Sequence, residues 1–331
     1  MSSKKIKVIL FGLGPIGLEI ARVIAARPAY EIVGAIDIDP EKVGRDLGEV
    51  AGVKEKWGVV VSGDAKTTLK KRAAVVVHAT GSTIKQVLPQ LLQIIATRHN
   101  IVSTCEELAN PWLDSPADAK KLDRLAKERR VALVGTGINP GYAMDTLPVM
   151  LTGVCQEVKK IRVKRIVDAS KRRMQLQKKI GTGMTVAEFK ERAAKREIRH
   201  VGLAESVGLI ARGMGWKLDK QGNTIEPVVA AHEVRTDHYT VPTNFVTGVR
   251  QTAFGTVGGE RVIELELLMS VDAGPSSDEV WIEGTPSVHA RIGGIHGDLS
   301  TAAIVANAIQ RIIESPPGLK TMVDLPVISA R

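Results

Sequence analysis

Two glutamates, Glu106 and Glu107, stand side by side directly after the short apolar run Asn100–Ser103. A carboxylate at the end of a buried strand is partly desolvated, and desolvation moves its pKa up toward neutrality, where it can both take and give a proton. Acids are also favourable at a helix start, so the pair has a second possible use as a cap for the next helix. Asn139, in the loop Gly135-Thr-Gly-Ile-Asn-Pro-Gly-Tyr142, offers an amide able to hydrogen-bond a substrate or a carboxamide, although asparagine also serves turns on its own account. A third feature is the run Gly12-Leu-Gly14-Pro15-Ile16-Gly17, the G-x-G-x-x-G spacing of a dinucleotide-binding turn.

That glycine spacing carries meaning only between a strand and a helix. Here Lys5–Phe11 is an apolar run, and Ile16–Arg27 has apolar side chains at helical spacing (Ile16, Ile20, Val23, Ile24). Gly12 permits the tight turn, Gly14 lets backbone approach a pyrophosphate, and Gly17 lets helix and strand pack closely. The N–H groups at the helix start then attract phosphate. The next strand, Glu31–Ile36, ends at Asp37, twenty residues beyond Gly17. A carboxylate there accepts hydrogen bonds from ribose hydroxyls and repels a 2′-phosphate. Lys42 and Arg45 follow closely enough to offset part of that repulsion, so the cofactor is NAD or NADP with NAD favoured.

The alternation continues. Ala74–Thr80 reads as a buried strand leading into Gly81-Ser82, a turn that lies over the cofactor, with a helix from about Thr83 to Arg98. Asn100–Ser103 is a strand, Ser115-Pro116 with Asp118 opens a helix, and Val131–Val134 is another strand. Strands alternating with helices imply a doubly wound parallel sheet with its ligand crevice at the strands' carboxyl ends. After about residue 150 the pattern changes. Lys159–Asp168 reads as a strand, Thr185-Val-Ala-Glu188 as a capping box, and Leu203–Arg212 as a helix. Long alternating runs follow at Glu226–Thr240, Gly248–Val257, Arg261–Val271 and Val280–Ile292, separated by breaks such as Gly258-Gly259. Leu299–Ile313 is a final apolar helix. The fold expected is α/β: an N-terminal Rossmann domain (1–145), an α+β domain with a mixed, mostly antiparallel sheet for substrate binding and dimerisation (146–297), and a C-terminal helix and tail (298–331) that returns to the first domain.

Such a pairing of domains fixes a reaction class, a dehydrogenase whose substrate sits between them. Nicotinamide does the hydride chemistry and protein supplies orientation and proton handling. His78, His99, His200, His232, His238, His289 and His296 are scattered without metal-ligand spacing, there is no C-x-x-C or H-x-x-x-H set, and no metal is expected. His296, in Gly293-Gly-Ile-His-Gly297, is the histidine best placed to face a cleft, yet a structural role is preferred for it. Cys105 reads as packing, since hydride transfer needs no thiol.

Bulk properties narrow the setting. A chain of 331 residues suits two domains. With 44% hydrophobic residues it has no apolar run near the roughly 18–20 residues that span a bilayer. The opening Met1-Ser-Ser-Lys-Lys5 lacks the features of a signal peptide, and two cysteines imply no disulfide framework, so a cytoplasmic setting is expected. The net charge of +10 is spread among acids. Its one dense cluster, Lys171-Arg172-Arg173 with Lys178-Lys179, lacks aromatic interleaving and reads as a solvated basic face or an attraction for anionic cofactor, not a nucleic-acid surface.

Several longer motifs carry a resemblance over nearly the whole chain. Gly135-Thr-Gly-Ile-Asn-Pro-Gly141 with Met144-Asp-Thr146, Thr104-Cys-Glu-Glu-Leu108, Gly202-Leu-Ala-Glu-Ser206 and Pro317-Gly-Leu-Lys-Thr-Met-Val-Asp-Leu-Pro326 resemble the 2,4-diaminopentanoate dehydrogenase group, which includes native amine dehydrogenases and shares its fold with dihydrodipicolinate reductase. The resemblance implies reversible oxidative deamination of a small amine to a ketone and ammonium, a homodimer, and an acid/base glutamate on the Glu106-Glu107 pair, Glu107 being preferred. It implies further that Asn139, Arg165 and Thr301 bind substrate. Val167 and Gln251 stand where the family has an asparagine and a histidine. Losing those polar partners suits a less polar substrate than 2,4-diaminopentanoate, because a buried charged group without partners is costly. The alternatives are 2,4-diaminopentanoate oxidation itself, a dihydrodipicolinate reductase-like activity, whose substrate loop Asp168-Ala-Ser with Gly181-Thr-Gly-Met-Thr185 faintly resembles, and a redox-silent NAD(P)-binding protein, against which the paired glutamates argue.

Overall fold

The computed structural model describes residues 5–195, 197–198 and 201–330, and His200 lies outside them. The chain divides into two compact units, one made of residues 1–142 and 296–331, the other of 143–295.

In the first unit the order is β1 (Ile6–Phe11), α1 (Pro15–Ala25), β2 (Tyr30–Ile36), α2 (Leu47–Val50), β3 (Val61–Ser62), α3 (Ala65–Thr68), β4 (Val75–His78), α4 (Ile84–Ala96), β5 (Asn100–Ser103), α5 (Pro116–Arg129) and β6 (Ala132–Gly135). Among the described residues these strands form one parallel sheet, ordered β6-β5-β4-β1-β2-β3, to which a later strand adds beside β6. The strands are apolar at almost every position because both faces of the sheet are covered. On β1, Val8 and Leu10 join a core with Ile20 and Ile24 of α1, while Ile9 and Phe11 join a second core with Val87, Leu91 and Leu122 from α4 and α5. The run of order reverses between β1 and β4, which puts a crevice at their carboxyl ends.

The second unit holds α6 (Thr146–Leu151), β7 (Glu157–Asp168), α7 (Met174–Lys179), α8 (Val186–Ala194), α9 (Leu203–Met214), β8 (Lys220–Val229), β9 (Val234–Arg235), β10 (Thr240–Val241), β11 (Val246–Val257), β12 (Glu260–Ser270), β13 (Ser277–Thr285) and β14 (Val288–Ile292). Its main sheet is ordered β14-β13-β7-β12-β11-β8, antiparallel except for the parallel pair β7 and β12, so the mixed, mostly antiparallel sheet is what the alternating runs led one to expect. Gly258-Gly259 makes the β11–β12 turn, and Thr185 with Glu188 forms the capping box of α8. Two runs are shorter than the alternation suggested. Glu226–Thr240 is not one strand, because β8 begins at Lys220 and leaves the sheet after Val229; it is an edge strand, where Pro227 is tolerated. Val280–Ile292 is broken at Thr285-Pro286 into the β13–β14 hairpin.

The chain then returns to the first unit as α10 (Gly297–Glu314) and β15 (Gly318–Lys320), the latter pairing with β6. Ala302, Val305, Ile309 and Ile312 of α10 are buried in the same core as α1. Arg291, Ile292 and the glycines that follow close the second unit, and His296 accepts a hydrogen bond at Nδ1 from Leu299 N–H at 3.3 Å. His296 is therefore the N-cap of α10, the structural role preferred for it.

Candidate active site

The glycine turn is built on two close approaches. A side chain at Gly12, whose φ is +97°, would meet the Ala79 carbonyl oxygen at 2.4 Å, and one at Gly17 would meet the Gly12 carbonyl oxygen at 2.1 Å. Gly14 is different, since a Cβ there would have nothing within 4 Å. That open space lies at the N-cap of α1, which has Pro15 in its first turn, no acid there and no capping side chain. Its first N–H groups, including that of Ile16, are presented to an anion, the arrangement a pyrophosphate fits. The residues present therefore suit a dinucleotide.

Asp37 closes the same turn. Its Oδ2 accepts from Leu13 N–H at 2.6 Å and its Oδ1 from Asp39 N–H at 2.9 Å. The carboxylate is thus held beside the glycine loop, where ribose hydroxyls can reach it. Lys42 Nζ is 3.9 Å from Asp37 and 3.0 Å from Asp39, whereas Arg45 turns away to the Glu41 carbonyl at 3.2 Å. Of the two cations expected to soften the site for a 2′-phosphate, Lys42 alone approaches the carboxylate.

Across the crevice, Thr80, Gly81 and Ser82 link β4 to α4. The next turn along the edge is that after β5, where Glu106 and Glu107 begin a short 3-10 turn, Glu106–Ala109. Glu107 N–H donates to the Ser82 carbonyl at 3.1 Å, and Glu107 Oε2 accepts from Ile84 N–H at 2.8 Å. The capping use of the pair is therefore real for Glu107, but the helix it caps is the preceding α4, across the sheet edge, and not only the turn it opens. Cys105 is buried in the α4–α5 core with its thiol pushed up to about 12 by burial, which is packing and not nucleophile chemistry.

Asn139, after β6, is 8% exposed, and Thr301 of α10 reaches the same loop, its Oγ1 accepting from Ile138 N–H at 3.3 Å. Gly12, Gly14, Gly17, Asp37, Thr80, Glu107, Asn139 and Thr301 accordingly share the carboxyl edge of one sheet.

The expected residues of the second unit lie on its own sheet. Arg165, Leu267 and Gln251 stand abreast on β7, β12 and β11, followed one step on by Val167, Met269 and Val249. Arg165 and Gln251 are buried, at 3% and 5% exposure, and Val167 is buried at 7%. Arg165 is already engaged: Nη1 pairs with Asp278 Oδ1, Nη2 donates to the Ile295 carbonyl at 2.7 Å, and Asp278 Oδ2 accepts from Ile295 N–H at 2.8 Å. Burial draws the Arg165 pKa below its ordinary value, opposed by the Asp278 carboxylate. Asp278 lies 113 residues from Arg165, and no local pattern announced it. A second unannounced pair ties two of the sequence motifs together, with Ser206 Oγ donating to the fully buried Asp145 at 2.7 Å.

Among the described residues, no group of three or more His, Cys, Asp or Glu is arranged to hold a metal ion, and no helix is long and apolar enough to cross a membrane. Three other histidines have polar partners: His289 contacts Glu279 at 2.7 Å, His232 contacts Asp272 at 3.2 Å and His99 contacts the Lys71 carbonyl at 3.1 Å.

Comparison with known proteins agrees with this geometry. Residues 142–331 match the family described as the 2,4-diaminopentanoate dehydrogenase C-terminal domain, and residues 6–105 match the dihydrodipicolinate reductase N-terminus. The chain is 33% identical to the 2,4-diaminopentanoate dehydrogenase of Acetoanaerobium sticklandii over 98% of its own length and 94% of that protein's. It is 23% identical to an amine dehydrogenase of Streptomyces virginiae, covering 97% of this chain and 96% of the relative. The solved amine dehydrogenase of Mycobacterium smegmatis superposes with a TM-score of 0.88 at 26% identity, over 99% of this chain and 98% of that one. With an NAD(P)-binding dehydrogenase fold and alignment along its whole length, the chain belongs to the 2,4-diaminopentanoate dehydrogenase family.

Proposed function

We propose that this chain is an NAD(P)-dependent amine dehydrogenase that interconverts a small amine with its ketone and ammonium, using Glu107 as the proton-handling group. The observation that carries the reading is the Glu107 carboxylate on the carboxyl edge of a dinucleotide-binding sheet, oriented by a backbone N–H of α4, in a chain of this family. When bound, the nicotinamide supplies the hydride in one direction and accepts it in the other. The chain does the rest. Gly12, Gly14, Pro15, Ile16 and Gly17 cradle the pyrophosphate, Asp37 takes the adenosine ribose, and Thr80, Gly81 and Ser82 border the crevice. Asn139 and Thr301 orient substrate and carboxamide.

In amination, ammonia adds to the ketone carbonyl, and the adduct's hydroxyl must leave as water. Glu107 gives it a proton at Oε1 while Ile84 N–H holds Oε2. The carboxylate left behind faces a cationic iminium and stabilises it. In deamination the same oxygen takes a proton from the water that attacks the iminium. Glu106, its neighbour on the same turn, is the fallback for the role.

The substrate reading follows from the second unit. The guanidinium of Arg165 is paired with Asp278 and donates to Ile295, and the next rank of the sheet is Val167, Met269 and Val249. These residues suit an alkyl group better than a second charged group. The greater identity to the 2,4-diaminopentanoate enzyme favours the second reading, a diamino acid substrate. The buried residues of this sheet favour the alkyl reading over what overall identity suggests, because specificity resides in few contacts.

The reading includes a homodimer in the cytoplasm. The sheet face opposite Arg165 carries half-exposed Ile166, Leu268 and Phe254, and opposite charges pair across it, Lys160 with Glu264 at 3.1 Å and Lys164 and Arg250 with Glu266 at 3.5 and 3.6 Å. A face with apolar patches and paired charges suits contact with its own copy.

Three outcomes are expected. In NADH oxidation with ammonia, cyclohexanone or pentanone should give a higher kcat/KM than 2-amino-4-oxopentanoate; the reverse ranking would restore the diamino acid reading. Asp37→Ser should raise KM for NAD more than for NADP, and equal Michaelis constants before and after would remove Asp37 from the ribose. Glu107→Gln should lower kcat by about 10²–10⁴-fold while NADH affinity stays near wild type. If Glu106→Gln fell instead, the role would move by one residue, and if both variants turned over normally the mechanism would be wrong.

A further inference from the structure

His78 ends β4 with no exposure to solvent, in a position where leucine or valine would serve a sheet core. It stands edge-on to Phe11 of β1 with ring centroids 5.7 Å apart, so one face of it does pack. Its two ring nitrogens, however, are both engaged. Nδ1 is 2.9 Å from Ser103 Oγ at the end of β5, and Nε2 is 2.8 Å from Gln90 Oε1 on α4 and 2.8 Å from Thr80 Oγ1. Thr80 Oγ1 is itself 2.5 Å from Gln90 Oε1, and Ser103 Oγ accepts from Cys105 N–H at 3.1 Å.

These contacts run in one direction. Gln90 Oε1 can only accept, so the ring carries its proton on Nε2 and donates it there, and Thr80 hydroxyl donates to the same oxygen. Nδ1 is then an acceptor and takes the Ser103 hydroxyl proton, while Ser103 Oγ accepts the Cys105 N–H. Burial holds the His78 pKa down at about 4, so the ring stays neutral and keeps this pattern at working pH.

We propose that His78 is a positioning residue that fixes the turn carrying Thr80–Ser82 against the turn carrying Cys105–Glu107. One end of the chain is Gln90 Oε1, where the Nε2 proton meets that of Thr80, the start of the first turn. The other end is Cys105 N–H, one residue before the glutamate pair. The Glu107 N–H to Ser82 carbonyl bond joins the same two turns on their outer side. The cofactor-facing turn and the acid/base turn are thereby held as one piece, with each arm of the imidazole assigned to one of them. Nε2 serves Thr80 through the Gln90 oxygen that both donate to, and hence cofactor binding; Nδ1 serves Ser103 and Cys105, and hence the placement of Glu107. This inference rests on the functional reading above for what the two turns do.

The arms separate by substitution. An asparagine at 78 puts its polar atom about where Nδ1 stands, and a glutamine puts its own about where Nε2 stands. His78→Asn should therefore raise the Kd for NADH about tenfold with kcat within about threefold of wild type, and His78→Gln should do the reverse, each reading the loss of one buried hydrogen-bonding arm. His78→Leu should lose on both counts. Thermal midpoints of all three report folding, and if His78→Leu does not fold, the Asn and Gln variants decide alone. Equal losses of affinity and kcat in the Asn and Gln variants would reduce His78 to a structural part and overturn the proposal, as would a folded His78→Leu with both constants unchanged. NADH affinity is read by fluorescence quenching without turnover. Failure of the amine dehydrogenase reading would show as a wild-type protein that binds NADH but aminates no ketone. The difference in affinity between the Asn and Gln variants would still appear, and its absence would sink the His78 role alone.

Discussion

The two turns on either side of the sheet's switch point approach so closely that the first has no room for a side chain at Gly12, where they meet. Gly12 lies against the Ala79 carbonyl with no room for a Cβ, and Gly17 lies against Gly12 in turn. This contact brings α1 tight against β1 and aims its N-terminus into the crevice between β1 and β4. The open space at Gly14 is the counterpart of that tightness, since it is the one glycine of the three with nothing nearby. The position of Asp37 follows as well, because Leu13 N–H, within the same turn, holds its carboxylate. Parallel strands buried on both faces supply the rigidity, and the functional groups sit where that rigid layer ends.

From there the chemistry is a matter of order along one edge. The turns after β1, β4, β5 and β6 contribute the glycine loop, Thr80–Ser82, the carboxylate pair and Asn139 in succession. Glu107 is oriented by the helix that the neighbouring turn begins, so its carboxylate and the Thr80–Ser82 turn share a support. In the second unit, the one buried arginine of the candidate set is spent on Asp278. A buried guanidinium without that carboxylate would be costly.

Much of this was legible in the sequence because local rules and the fold agree. Asn100–Ser103 is a strand in both pattern and structure, since a short apolar run between a helix end and a polar turn has few other uses. The glycine turn and the capping box at Thr185 were legible for the same reason. What escaped depends on residues far apart in the chain. The Arg165–Asp278 pair and the capping of α4 by Glu107 are tertiary contacts with no periodic signature. His78 looked like one histidine among seven until its two partners, Ser103 and Gln90, were placed around it. The break of the Glu226–Thr240 run was hidden because alternation shows that a segment can be a strand but not where its neighbour ends.

The central claim is that the hydride leaves a carbon that also loses nitrogen. The most direct measurement is the ammonium released per NADH formed when the enzyme oxidises a small alkyl amine with NAD, determined by an enzyme-independent ammonium assay on the same samples. The account predicts one ammonium and one ketone for each NADH. NADH formed without ammonium, or no reduction of NAD by any amine while alcohols or imine precursors react, would contradict it.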